Sequence, residues 1–147
     1  MLQKSTIGIY MVEKVFVDTS GWVALFVEND QHHSKARRIY GEMKEARYPL
    51  YTSDYIVDET ITLVLKRGNH KQSVLAGNSI LSSGIVSIVS VCPDYMDAAW
   101  DLYKKYTDKK FSFTDVTSFT IMKELGIVKA FSFDAEFAQA GFLMLGD

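Results

Sequence analysis

Four short runs of apolar, β-branched and aromatic residues punctuate the chain, at 14–17 (KVFV), 49–52 (PLYT), 85–91 (IVSIVSV) and 128–133 (VKAFSF). Each has the length and composition of a strand, and each is followed by a stretch whose apolar positions recur at helical spacing. Helices are predicted over 21–27, 33–45, 54–67, 71–81, 94–106 and 114–125, with a short one after Asp134. Strands alternating with helices favour an α/β domain with a mainly parallel sheet, because a crossover helix is the usual route back to a parallel neighbour. The 147 residues suffice for one domain with a sizeable core, and no internal repeat, low-complexity tract or linker divides them. Residues before Met11 carry neither period, so 1–13 reads as an N-terminal extension and 14–147 as the folded domain.

In open parallel sheets the functional crevice lies beyond the carboxyl ends of the strands. Two acids occupy such ends, Asp18 after KVFV and Asp134 after VKAFSF. Asp18, Thr19 and Ser20 all suit a helix N-cap, but three capping residues in a row exceed what one cap requires. In the predicted helix 54–67, Val57, Ile61, Val64 and Leu65 form a stripe expected to face the sheet. Glu59 lies off that stripe, between Ile56 and Leu63 on a second apolar patch, whereas Asp58 shares a solvated face with Asp54 and Thr62. A carboxylate among apolar neighbours loses solvation and needs a partner, either a cation or, more simply, Lys66 or Arg67. Asp115 fits a capping box with Ser112, Asp134 could cap the turn that follows it, and Glu136 reads as solvated.

Each acid therefore has a local structural explanation, and the set points further. Asp18, Glu59, Asp115 and Asp134 all fall at strand carboxyl ends or in the first turns of the following helices, so adjacent strands would bring them to one crevice. Clustered carboxylates repel, which raises their pKa values and costs stability unless a divalent cation sits among them. Oxygen ligands without a cysteine or histidine set suit Mg²⁺ or Mn²⁺, and such sites perform metal-assisted phosphoryl chemistry. Thr19, Ser20, Thr114 and Thr117 are candidates to hold waters or orient the carboxylates.

Charge and cysteine usage narrow the setting. A net charge of −2 and a pI near 5.9 give weak overall attraction for a polyanion, so nucleic-acid binding would need local basic patches or bound cations. The single Cys92 excludes an internal disulfide and a multi-cysteine zinc site, and the first residues lack the apolar run of a signal peptide or membrane span. A cytoplasmic location is expected. Lys104 to Lys110 (KKYTDKK), Arg37, Arg38, Lys66 and Arg67 are candidates to steer a nucleic-acid backbone or simply solvated charges. His32 and His33 read as loop or helix-start residues, and Trp22, Phe26, Tyr40 and Trp100 as core or dimer contacts.

The segments VFVDTSGW, YTSDYIVDETITLVLKRG, FSFTDVTSFTIMKELGI and AFSFDAEFAQAGF, in this order and at these distances, resemble the PIN-domain nucleases. They are most similar to the VapC-type ribonuclease toxins of toxin–antitoxin pairs. The resemblance covers about Lys14 to Phe142. It implies a three-layer α/β/α fold, Mg²⁺- or Mn²⁺-dependent endonucleolytic cleavage of RNA, frequent homodimers and inhibition by a partner antitoxin. By position it assigns catalytic and metal-binding roles to Asp18, Glu59, Asp115 and Asp134, with a supporting hydroxyl from Thr19 or Ser20. Ser132 stands where relatives often carry Thr. Two other readings begin from the same residues. A phosphatase with an aspartyl nucleophile would want a second Asp two positions after Asp18, where this chain has Ser20. A non-catalytic module binding RNA or a partner could keep the same acids for structure.

Overall fold

The computed structural model describes residues 13–146, so the extension expected over 1–13 lies outside the described residues except for Glu13. Along the chain run β1 (Val15–Val17), α1 (Thr19–Phe26), α2 (His33–Glu45), β2 (Leu50–Ser53), α3 (Asp54–Arg67) and α4 (His70–Leu81). Then follow β3 (Val86–Val89), α5 (Pro93–Lys105), α6 (Phe113–Leu125), β4 (Lys129–Phe131), α7 (Glu136–Gln139) and β5 (Leu143–Met144). The strands form one sheet in the order β3-β2-β1-β4-β5, and every pairing is parallel.

This order dictates the layers. The chain moves from β1 to β2 to β3 in one direction and from β3 to β4 to β5 in the other. Right-handed crossovers therefore place α1 to α4 on one face and α5 to α7 on the opposite face. The packing agrees: α1 to α4 contact one another, while α6 packs against α5 and α7. The result is the expected α/β/α sandwich. The direction of travel reverses between β1 and β4, and a crevice opens at such a switch point.

Local chemistry sets the element ends. Ser53 caps α3 by accepting the Ile56 N–H at 3.1 Å, and Asn69 caps α4 through the Gln72 N–H at 2.8 Å. Ser112 and Asp115 form the predicted capping box at α6, which ends on Gly126 in the left-handed region at φ 69°. All three residues of β1 are buried, as befits a central strand covered on both faces. Gly21 marks the tightest approach of α1 to the sheet, because a Cβ there would meet the Phe131 carbonyl oxygen at 2.7 Å.

Three expectations need correction. The helix predicted from residue 21 starts at Thr19, directly after the Asp18 cap position. A fifth strand, β5, pairs with β4 through two residues and was not among the four predicted runs, although it lies in the apolar stretch FLML at 142–145. The buried face of α3 is Ile56, Val57, Thr60 and Val64, while Leu65 is 46% exposed. The α3 helix packs against α1 and α4 as well as β2, which rotates its buried face away from the predicted stripe.

Candidate active site

The end of β1 delivers Asp18, and the stretch after β4 delivers Ser132, Phe133 and Asp134. Asp18 is only 3% exposed and starts α1 without a side-chain cap hydrogen bond. Its Oδ2 instead accepts hydrogen bonds from Ser20 Oγ at 3.1 Å and from Ser132 Oγ at 3.0 Å. Ser20 Oγ also accepts the Phe133 N–H at 2.9 Å, and Ser132 Oγ accepts the Asp134 N–H at 3.0 Å. Two hydroxyls thus tie the carboxyl ends of adjacent strands to one carboxylate.

The other acids arrive on helices. Glu59, half-buried on α3, accepts a hydrogen bond from Thr19 Oγ1 at 2.5 Å. The ion pair considered for it is absent among the described residues, since Arg67 faces Asp30 at 3.8 Å. Asp115 accepts the Ser112 N–H at 3.0 Å through Oδ2, so capping and a place at the crevice coexist in one side chain. Glu59, Asp115, Asp134, Thr19 and Ser20 line one open cleft of about 490 Å³, and Asp18 sits beneath it, reached through Ser20 and Ser132. Asp58 is exposed and lies outside that lining.

Supporting hydroxyls divide into two groups. Thr19 and Ser20 hold carboxylates, as expected of groups that orient ligands. Thr117 spends its hydroxyl on the Thr114 carbonyl at 2.7 Å, and Thr114 borders a neighbouring groove beside Glu59 and Tyr55.

The electrostatics record the crowding. Burial pushes the Asp18 carboxyl up to about 7, with Asp134 and Asp115 adding repulsion and the Thr19 N–H and Ser132 hydroxyl opposing it. Burial also raises Asp115, against the pull of Ser112, with Glu136 and Asp134 contributing. Asp134 stands at the exposed rim, where partial burial of its carboxyl, then Glu136 and Glu59, raise it, while hydrogen bonding with the Asp18 carboxyl and, less, the charge of Arg67 lower it. Ser132→Ala is expected to cost about 1–3 kcal/mol in urea denaturation, because a buried carboxylate loses a donor and the Asp134 N–H loses its acceptor.

Oxygen donors alone make up this acidic cluster, which suits a hard divalent cation. Among the described residues no three Asp, Glu, His or Cys side chains form a ready-made cage.

Sequence reasoning missed part of the cleft. Glu136, read as solvated, lines it, as do Asp30, Gln31 and His32 from the α1–α2 connection; Arg67, already a candidate to steer a nucleic-acid backbone, joins them from the end of α3. The connection carries no period, so only the topology reveals its place. Phe133, counted in the fourth run, follows the strand and stacks on His32 with ring centroids 4.3 Å apart. Elsewhere Trp22 is buried and donates to Thr52 at 3.3 Å, Arg38 pairs with Glu42 at 3.1 Å, and Trp100, read as a core or dimer contact, is 51% exposed and lies outside the core. Among the described residues, no helix is long and apolar enough to cross a membrane.

Comparison with known proteins places this geometry. The chain is 35% identical over 129 residues to the 23S rRNA-specific endonuclease VapC20 of Mycobacterium tuberculosis, covering 88% of this chain and 95% of that protein. The crystal structure of that VapC20, a sarcin–ricin loop cleaving toxin, superposes with a TM-score of 0.79 over 88% of this chain and 96% of its own. VapBC2 from Rickettsia felis, solved with a promoter DNA fragment, shares the fold at 9% identity and a TM-score of 0.66, over 89% of this chain and 96% of its own. The PIN domain family profile matches residues 15–143, and with the parallel sheet and the acid-lined switch point this makes the chain a member of the PIN-domain family.

Proposed function

We propose that the protein is a divalent-metal-dependent endoribonuclease, the toxin of a toxin–antitoxin pair, with Asp18, Glu59, Asp115 and Asp134 as its metal-binding and catalytic residues. The observation that carries this reading is the gathering of these acids at one cleft, with Asp18 pushed up to about 7 by burial and by its acidic neighbours. A bound Mg²⁺ or Mn²⁺ would supply positive charge to the phosphate in an in-line displacement and make water a competent nucleophile at neutral pH. Ser20 and Ser132 hold Asp18 in place, and Thr19 holds Glu59, so the acids meet the ion without reorganising. Among the described residues, Arg67 is the one Lys or Arg on the cleft lining and offers a contact for a substrate phosphate.

The relative with 35% identity is named for 23S rRNA, which makes structured ribosomal RNA the substrate proposed for this chain. A cytoplasmic location, a homodimer and a cognate antitoxin complete the proposal. The test is incubation of the purified protein with Mn²⁺ and an rRNA fragment containing the sarcin–ricin loop. Endonucleolytic products that disappear on adding chelator are expected; intact RNA that is bound but never cut would favour a non-catalytic module.

A further inference from the structure

One wall of the cleft has no role in holding the acids. His32 occupies the cap position of α2, yet its side chain makes no cap hydrogen bond; its main-chain N–H donates to Asp30 Oδ1 at 2.8 Å and its carbonyl accepts the Ala36 N–H at 2.8 Å. The imidazole lies flat on Phe133, with planes 1° apart and centroids at 4.3 Å. Phe133 is itself braced edge-on by Phe131 at 5.7 Å, and its N–H is fixed by Ser20, the residue that also holds Asp18. The stacked pair is therefore positioned by the same hydroxyl as the first carboxylate. Beside it, Asp30 Oδ2 faces Arg67 at 3.8 Å, so one side chain links the His32 backbone to a guanidinium on the cleft lining.

We propose that His32, backed by Phe133, is a stacking platform for an unpaired nucleobase flanking the scissile phosphate, with Arg67 contacting a phosphate of the same strand. The inference rests on the nuclease reading above and names the side chains that would hold the substrate strand. Two flat rings and a guanidinium beside a phosphodiester-cleaving centre are the elements that bind single-stranded nucleic acid. A base inside a duplex is stacked on its neighbours and cannot lie on a protein ring, so the nucleotide must come from a loop, bulge or end. The 3.8 Å separation from Asp30 leaves Arg67 weakly committed and free to turn to a phosphate.

The test uses a fluorescent RNA hairpin with an unpaired loop and reads affinity by anisotropy in an Asp115→Asn background, so that the RNA stays intact. His32→Ala should weaken binding roughly tenfold, the size of one base–aromatic stack, and His32→Phe should restore it. A series of hairpins with an abasic site at each loop position should contain one that binds His32→Ala and its His32 parent equally. Arg67→Gln should flatten the salt dependence of log affinity by about 0.7, the share of one phosphate contact. Unchanged binding by His32→Ala, or no abasic position that closes the gap, would overturn the platform. A protein that binds through His32 but cuts no RNA with Mn²⁺ would overturn the nuclease reading and leave the platform standing; no RNA binding would overturn both.

Discussion

Replacement of Asp115 by Asn is expected to reduce Mn²⁺-dependent RNA cleavage more than 100-fold while the protein stays folded. Loss of a group that merely orients a metal ligand commonly costs about 10- to 100-fold, so loss of a carboxylate assigned to the ion should exceed about 100-fold. The fold should survive because an amide oxygen can still accept the Ser112 N–H and keep the capping box at the start of α6. Glu59→Gln should behave alike, whereas Asp58→Asn should cleave as the parent does, since Asp58 is exposed and outside the cleft lining. Single-turnover cleavage rates, with thermal melting as the folding control, check all three. Parent-like rates in Asp115→Asn and Glu59→Gln would remove these acids from the chemistry.

Stability should fall as pH rises from about 4 to about 7 when metal is removed with chelator. The Asp18 carboxyl is raised from an ordinary 3.8 to about 7 in the folded chain, so between those values the folded state holds a proton that the unfolded state has released. Unfolding free energy then declines with pH across that window and levels off above it. One shift of this size corresponds to roughly 4 kcal/mol, and the raised carboxyls of Asp115 and Asp134 act in the same direction. Urea denaturation at pH 5 and pH 8 should recover roughly 3 kcal/mol of it, since an ordinary carboxyl is already ionised at pH 5; Asp18→Asn should shrink the difference, and excess Mn²⁺ should restore stability at pH 8. A chelated protein more stable at pH 8 than at pH 5 would show that the acids are compensated in some other way.

Much of this architecture is legible in the sequence because local and global signals agree. The three capping sites at Ser53, Asn69 and Ser112 stand where periodic apolar segments begin, and the α2, α4, α5 and α6 boundaries fall within one residue of those predicted. Asp18 and Asp134 follow from the same logic, since an acid after a central strand has few other places to go, while Glu59 and Asp115 ride in the early turns of helices. Leu65 shows the limit, since periodicity gives the width of an apolar face but not which neighbouring helices compete for it. Strand β5 was passed over for another reason: the apolar stretch FLML at 142–145 has no β-branched residue, and its pairing beside β4 covers only Leu143 and Met144. The His32–Phe133 stack was unreadable because its members lie 101 positions apart by subtraction of their numbers, joined only by the meeting of a loop and a strand end.

The order of the strands has one more consequence. Asp18 and Asp134 hang from β1 and β4, which are flanked on both sides, whereas β3 and β5 form the margins of the sheet with half-covered or exposed residues. Transient fraying of a protein begins where backbone pairing is one-sided and apolar cover is thin. The margins can therefore breathe, shed their outer hydrogen bonds and close again while the carboxylates keep their spacing.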